Sequence, residues 1–364
     1  MAQHPLLSIE NLSVDFTTEE GVVRAVENIS FELQGAQTLG IVGESGSGKS
    51  VTALAIMGLL SRQHARVSSG CIWFDHPQWG RINLLEQPPG KLQSIRGQFI
   101  SMVFQEPMTA LNPVQRCGRQ VMESLLWHQK ANASQARRRV LELFEEVRLP
   151  DPQKAFEAYP HELSGGQRQR VMIAMAMACK PLLLIADEPT TALDVTVQKN
   201  ILELMAQLQK KHQMAIIFIS HDLGVVGQVA SQVAVMLKGR IVESGPVKEL
   251  FHQPTHPYTK GLIACRPRLD IRPLVLPVIS DFIQKDGKKP GSASPEMKEA
   301  DVALAERQKN HQRIYSHPPI LKVQGLTTSF ATQRSWLGKV RSWVHAVDNV
   351  SFSVYKGETL GLVG

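Results

Sequence analysis

Residues 38–60 read TLGIV, GESGSGKS, VTALAIMGLL. An apolar run short enough for a buried strand leads into a glycine-rich turn, and a helix-forming stretch follows. A parallel α/β sheet holds phosphate with elements in that order. Gly43, Glu44, Ser45, Gly46, Ser47, Gly48, Lys49 and Ser50 fit the GxxxxGK[ST] spacing. The glycines let backbone N–H groups turn inward on phosphate oxygens, Lys49 brings a point charge to the β- and γ-phosphates, and the Ser50 hydroxyl suits Mg2+. The helix that begins beside Val51 adds the positive end of its dipole. A turn that merely joins strand to helix is the bland alternative, and both flanks argue against it. Alone, the loop specifies a nucleotide-binding sheet and no more.

Working outward, residues 181–186 (PLLLIA) form a buried-strand pattern that delivers Asp187 and Glu188 to the C-terminal edge of the sheet. Ligands of open α/β sheets bind at that edge. One carboxylate can hold a metal while the other handles water, although a solvated strand end would look the same in isolation. Upstream, residues 163–167 read LSGGQ ahead of RQRVMIAMAMA, so Ser164, Gly165, Gly166 and Gln167 open a helix. Such a start is an anion site or an ordinary N-cap. Downstream, AIIFIS at 215–220 carries His221 to the same edge; a lone histidine there would more often be structural.

Taken together, in this order and spacing, these motifs resemble the ATP-binding cassette family from residue 6 to about residue 267. The resemblance implies an α/β P-loop NTPase with a parallel core sheet, an antiparallel subdomain and a helical subdomain. It implies that Asp187 holds Mg2+ through water, that Glu188 is the general base, and that His221 contacts the γ-phosphate. Gln105, in FQEP at 104–107, is implied to contact Mg2+ or the attacking water and to couple the site to transmembrane partners. Ala192, Leu193 and Asp194 correspond to the D-loop. Phe16 is implied to stack on adenine, with a core strand position as its alternative. Ser164, Gly165 and Gly166 are implied to bind the γ-phosphate held by a second cassette, because the family's modules sandwich two ATP molecules head to tail. Catalysis then needs a partner cassette, whose closure excludes water.

The chain begins the same module twice: RAVENISFELQGAQTLGIVG at 24–43 aligns without a gap with HAVDNVSFSVYKGETLGLVG at 345–364. We therefore expect a complete cassette with a C-terminal tail at 1–267, a linker at 268–319 and the start of a second cassette at 320–364. The second copy stops at the first glycine of its loop, so the chain reads as a truncated form of a longer tandem protein. With no helices to cover it, that half-sheet is expected to be poorly ordered. The linker is rich in proline and small polar residues, with a short helix expected within 295–312.

The region 118–149 has a helical pattern with Leu141, Phe144 and Val147 on one side. It resembles the family's helical subdomain, which docks membrane subunits. Arg137, Arg138 and Arg139 are read as its solvated face. After His221, the tail GPVKELFHQPTHPYTKGLIACRP at 245–267 resembles the oligopeptide and dipeptide importer branch. Two cassettes in one chain narrow this to tandem importers, with glutathione as the cargo implied. The partners implied are two transmembrane permease subunits and, indirectly, a solute-binding protein, at the cytoplasmic face of the bacterial inner membrane. The four cysteines lie far apart, and the net charge of +7 is dispersed, so neither a metal cluster nor a nucleic-acid surface is signalled. A soluble translation factor of the ABC-F kind would need a long charged helical linker, which this chain lacks. A non-hydrolysing nucleotide-binding regulator is the other alternative.

Overall fold

The computed structural model describes residues 4–19, 21–61, 63–105, 110–191, 193–266, 277–282, 304–334 and 340–363. Glu106, Pro107 and Ala192, and most of the expected linker, lie outside the described residues. The chain divides into two units, one comprising 1–266 with 278–288, the other 267–277 with 289–364.

In the first unit, β1 (Leu7–Thr18) and β2 (Gly21–Leu33) form an antiparallel hairpin, followed by β3 (Thr38–Val42) and α1 (Lys49–Met57). Next come β4 (Ala65–His76), β5 (Gly80–Asn83), α2 (Pro89–Ile95) and β6 (Ile100–Val103). A helical region follows, with α3 (Cys117–His128), α4 (Ala133–Glu146) and α5 (Pro152–Glu157). The chain then returns to the sheet through α6 (Gly165–Met177), β7 (Leu183–Asp187), α7 (Val195–His212), β8 (Ala215–Ser220), α8 (Leu223–Val229), β9 (Gln232–Leu237) and β10 (Arg240–Pro246). It closes with α9 (Val247–His252) and α10 (Pro257–Ala264).

The main sheet has the order β10-β9-β3-β8-β7-β6, and a second sheet has the order β2-β1-β4-β5. Every residue of β3, β7 and β8 is buried. This is why these strands read as unbroken apolar runs rather than alternating ones. The central strand β3 pairs in parallel with β8 and β9, so the loop after it emerges mid-sheet. The end of β7 lies one strand beyond β8.

In the helical region, Asn132 and Gln135 form a reciprocal capping box at the start of α4. The buried face of α4 is Ala136, Val140, Leu143 and Phe144, continued by Val147; Leu141 is only partly buried. The three arginines of the run differ in exposure. Arg138 is 85% exposed and pairs loosely with Glu142, whereas Arg139 is 22% exposed, between Glu142 and Glu146. Arg137 lies over the Phe156 ring at 4.4 Å and pairs with Glu157. The helix turns successive arginines through about 100° each, so one run serves three surroundings.

The second unit contains α11 (Leu304–Tyr315) and an antiparallel pair, β11 (Leu321–Arg334) with β12 (Val340–Val354). The helix begins within the 295–312 expectation and runs three residues past it. The start of the second copy forms an antiparallel hairpin whose ladder is interrupted at several register shifts. The interruptions have local causes. Gly325 and Asn349 adopt left-handed backbone (φ 58° and 50°). The Gly325 N–H donates to Ser351 Oγ at 2.9 Å and the Asn349 N–H to Thr327 Oγ1 at 3.0 Å. Side-chain acceptors thus satisfy the backbone where the ladder breaks.

Candidate functional site

The loop after β3 is shaped by what its glycines must avoid. A Cβ on Gly48 would lie 2.6 Å from the Ala25 carbonyl oxygen, and Gly48 has φ 102°. A Cβ on Gly43 would lie 2.2 Å from the Met236 carbonyl oxygen and 2.7 Å from Ser47 Oγ. Lys49 is buried, and its Nζ donates to the Gly43 and Glu44 carbonyls at 2.7 and 2.8 Å. The amine therefore lies across the mouth of its own loop. Burial pulls it below the ordinary lysine range, while Glu188, Asp187 and Glu44 pull it upward. Glu44, Ser45 and Gly46 are exposed, whereas Ser47 and Gly48 are buried. Ser50 and Val51 start α1 beside them.

Ser50 Oγ donates to Asp187 Oδ1 at 3.1 Å, joining the loop to the end of β7. Burial pushes the Asp187 carboxyl up, and the Ser50 hydrogen bond opposes that shift. Consecutive strand residues point to opposite faces, yet Asp187 and Glu188 both serve this edge. Glu188 makes that possible by leaving the strand in left-handed backbone, φ 47°, with its N–H donated to the Ile219 carbonyl at 3.0 Å. Its carboxylate is a gathering point. Glu188 Oε2 accepts from Thr191 Oγ1 at 3.0 Å and from Gln105 Nε2 at 3.4 Å, and contacts His221 Nδ1 at 3.1 Å. Glu188 is 13% exposed and His221 61%. The carboxylate is thus held inside while the histidine faces outward.

Ser164, Gly165, Gly166, Gln167 and Asp194 lie elsewhere in the local architecture. Ser164 and Gln167 form a capping box at the start of α6: the Ser164 N–H donates to Gln167 Oε1 at 3.0 Å and the Gln167 N–H to Ser164 Oγ at 3.4 Å. Gly166 faces Val197 closely enough that a Cβ would sit 2.8 Å from its Cγ1. Asp194 caps α7, its Oδ1 accepting from the Val197 N–H at 2.8 Å. Among the described residues, the hydrogen bonds of Ser164, Gln167 and Asp194 serve helix starts, not the phosphate loop. Phe16 is half-buried on β1, opposite Val23 and Ala65, at the edge of the apolar cluster under the antiparallel sheet.

Two residues of this neighbourhood escape a motif reading. Thr191 braces Glu188 from three positions away; the only sequence hint was its place in the turn before α7. Tyr258 reaches the loop from the C-terminal tail, its hydroxyl accepting the Glu44 N–H at 2.9 Å. The HPYT motif marked that residue without saying what it touches.

A central parallel strand ending in a lysine-bearing phosphate loop, with the carboxylate pair and histidine on neighbouring strand ends, defines an ATP-binding cassette. Residues 26–191 match the ABC transporter family. Residues 242–280 match the oligopeptide/dipeptide transporter C-terminal region. Among curated relatives, the chain is 45% identical over 360 residues to the glutathione import ATP-binding protein GsiA of Salmonella typhimurium (strain LT2), covering 99% of this chain and 56% of that protein. It is 44% identical over 364 residues to GsiA of Escherichia coli (strain K12), with the same coverage. The chain thus spans little more than half the length of these relatives. Among solved structures, it resembles the cassette MJ0796 in a dimeric post-hydrolysis state bound to ADP and Pi, with a TM-score of 0.58 and 26% identity over 66% of this chain and 98% of that one. It also resembles cbiO1 of Clostridium perfringens, part of the ABC transporter complex cbiONQ, with a TM-score of 0.58 and 28% identity over 69% of this chain and 92% of that one.

Proposed function

We propose that the chain is an ATP-hydrolysing subunit that energises import of small peptides, with glutathione as the cargo. The observation that carries the reaction is the single Glu188 oxygen shared by Gln105, Thr191 and His221, beside Lys49, Ser50 and Asp187. A carboxylate so anchored is oriented to take a proton from water attacking the γ-phosphate. Lys49, Ser45, Gly46 and Gly48 cradle the phosphates, and His221 and Gln105 position the terminal one. The buried Ser47 Oγ has no hydrogen-bond partner among the described residues, which suits a donor meant for a ligand. Ser50 and Asp187 offer a hydroxyl and a carboxylate within one hydrogen bond of each other, a fit for Mg2+, which when bound neutralises phosphate charge.

The remaining partners follow from the family. Ser164, Gly165, Gly166, Gln167 and Asp194 would serve the nucleotide of a second cassette, either the continuation of the copy that begins at 320 or another copy of this chain. Two permease subunits would be moved by the pair, with a solute-binding protein acting through them. Among the described residues no helix is long and apolar enough to cross a membrane. By the family reading, the subunit would attach peripherally at the cytoplasmic face of the inner membrane. The cargo reading rests on the names of the relatives and on the tail match.

The experiment is Glu188→Gln, which keeps shape and hydrogen-bond reach but removes the base. ATP should still bind, and turnover measured with permease partners should fall at least about a hundredfold. Undiminished turnover would remove Glu188 from the reaction. Loss of binding in Lys49→Ala checks the cradle separately.

A further inference from the structure

The phosphate loop is tethered from the far end of the cassette. Glu44, its second residue, donates its N–H to the Tyr258 hydroxyl across 214 positions of sequence. Tyr258 is 0% exposed and belongs to the same apolar cluster as Val42, the residue that ends β3. Burial pushes its hydroxyl up to about 12, so it stays a neutral acceptor at physiological pH.

The residues before Tyr258 seat it. Glu243 on β10 accepts from the Thr255 N–H and hydroxyl at 2.7 and 2.8 Å and from the His256 N–H at 3.1 Å. His256 then caps α10, its Nδ1 taking the Tyr258 N–H at 3.2 Å, and Pro257 fills the first helical turn. Histidine, proline and tyrosine therefore act in sequence as cap, helix start and reach. Farther along, the Arg266 guanidinium occupies the space a side chain on Gly224 would need. Gly224 lies in the first turn of α8, three residues beyond His221. One tail thus touches the phosphate loop and the helix that follows the histidine.

We infer that Tyr258 is a positioning residue of the phosphate loop, which makes nucleotide affinity depend on how the C-terminal tail is seated. It directs the Glu44 N–H away from the ligand and thereby fixes which loop N–H groups stay turned inward. Loss of the hydroxyl leaves that amide without its acceptor and lets the loop sample other arrangements. The affinity part rests on the nucleotide reading above; the tether itself does not.

The test is Tyr258→Phe in the full chain, which keeps the ring and its packing and removes only the acceptor. The Glu44 amide should exchange with solvent at least about tenfold faster, and ATP should bind about fivefold more weakly by calorimetry, the worth of one hydrogen bond. Glu243→Gln, which loosens the seat without touching the hydroxyl, should move both readouts the same way by less, and it carries the test if the phenylalanine variant does not fold. A residue that merely fills space would lower the melting midpoint while leaving Glu44 exchange and ATP affinity at wild-type values, and that result overturns the inference. Failure of the unaltered chain to bind ATP would sink the nucleotide reading instead, with the affinity dependence going down with it; Glu44 exchange alone would then decide the tether.

Discussion

The two hairpins share their local structure and differ in what covers them. In β1–β2, Leu7 pairs with Leu33, Leu12 with Ile29 and Val14 with Val26. In β11–β12, Leu321 pairs with Val354, Leu326 with Val350 and Thr328 with Val347, the same ladder displaced along the chain. Both break at equivalent left-handed residues, Asn11 and Asn28 in one, Gly325 and Asn349 in the other. The Asn11 N–H donates to Ser30 Oγ at 2.9 Å and the Asn28 N–H to Ser13 Oγ at 3.0 Å, matching the bonds of the second copy. Burial separates them. Leu12 is 0% exposed and its counterpart Leu326 is 45% exposed. The first hairpin has β4 paired along the outer edge of β1 and a shared core with α1 beneath. The comparison teaches that register and bulge come from local hydrogen bonds, whereas stability comes from neighbours, and a two-stranded hairpin alone is marginal in water.

The sharpest test of that contrast is amide hydrogen exchange. Protection at Val26 and Leu33 should exceed that at Val347 and Val354 by at least about a thousandfold, since the first pair opens with the core and the second locally. Equal protection would mean that something covers the second hairpin. Next in size, Leu12→Ala should destabilise the first unit by about 3 kcal/mol in urea unfolding, through lost transfer energy plus a cavity, against less than about 0.5 kcal/mol for Leu326→Ala. Similar costs would erase the distinction between a packed and an unpacked copy. The smallest effect belongs to the bulges. Asn28→Ala should cost about 1 kcal/mol because alanine is strained at φ 48°, and Asn28→Gly should cost less. Asn349→Ala should leave the main unfolding transition in place and speed exchange only around residue 349.

Much of this was legible in the sequence. The phosphate loop, Asp187, Glu188 and His221 could be placed because each sits at the end of an apolar run, and parallel strands deliver such ends to one edge. The bracing of Glu188 by Thr191 was not legible: a threonine in a turn carries no signal until the left-handed step at Glu188 aims the carboxylate back at it. Tyr258 was readable as a family mark but not as a contact, since no periodicity links it to Glu44. Asp194 and Ser164 are caps, as the sequence chemistry of Asp and Ser allows.

The central position of β3 has a consequence for how the protein is made. This strand is synthesised early, but its two partners are β8 and β9, and the loop it carries is tied to Tyr258. At about 5–20 residues per second on a ribosome, the 214 positions between Glu44 and Tyr258 correspond to a delay of about ten to forty seconds. For most of that interval the nascent chain holds an apolar strand whose mates have yet to be made, a natural client for a chaperone. The phosphate loop, first in the sequence to be recognised, is among the last parts of the cassette to be finished.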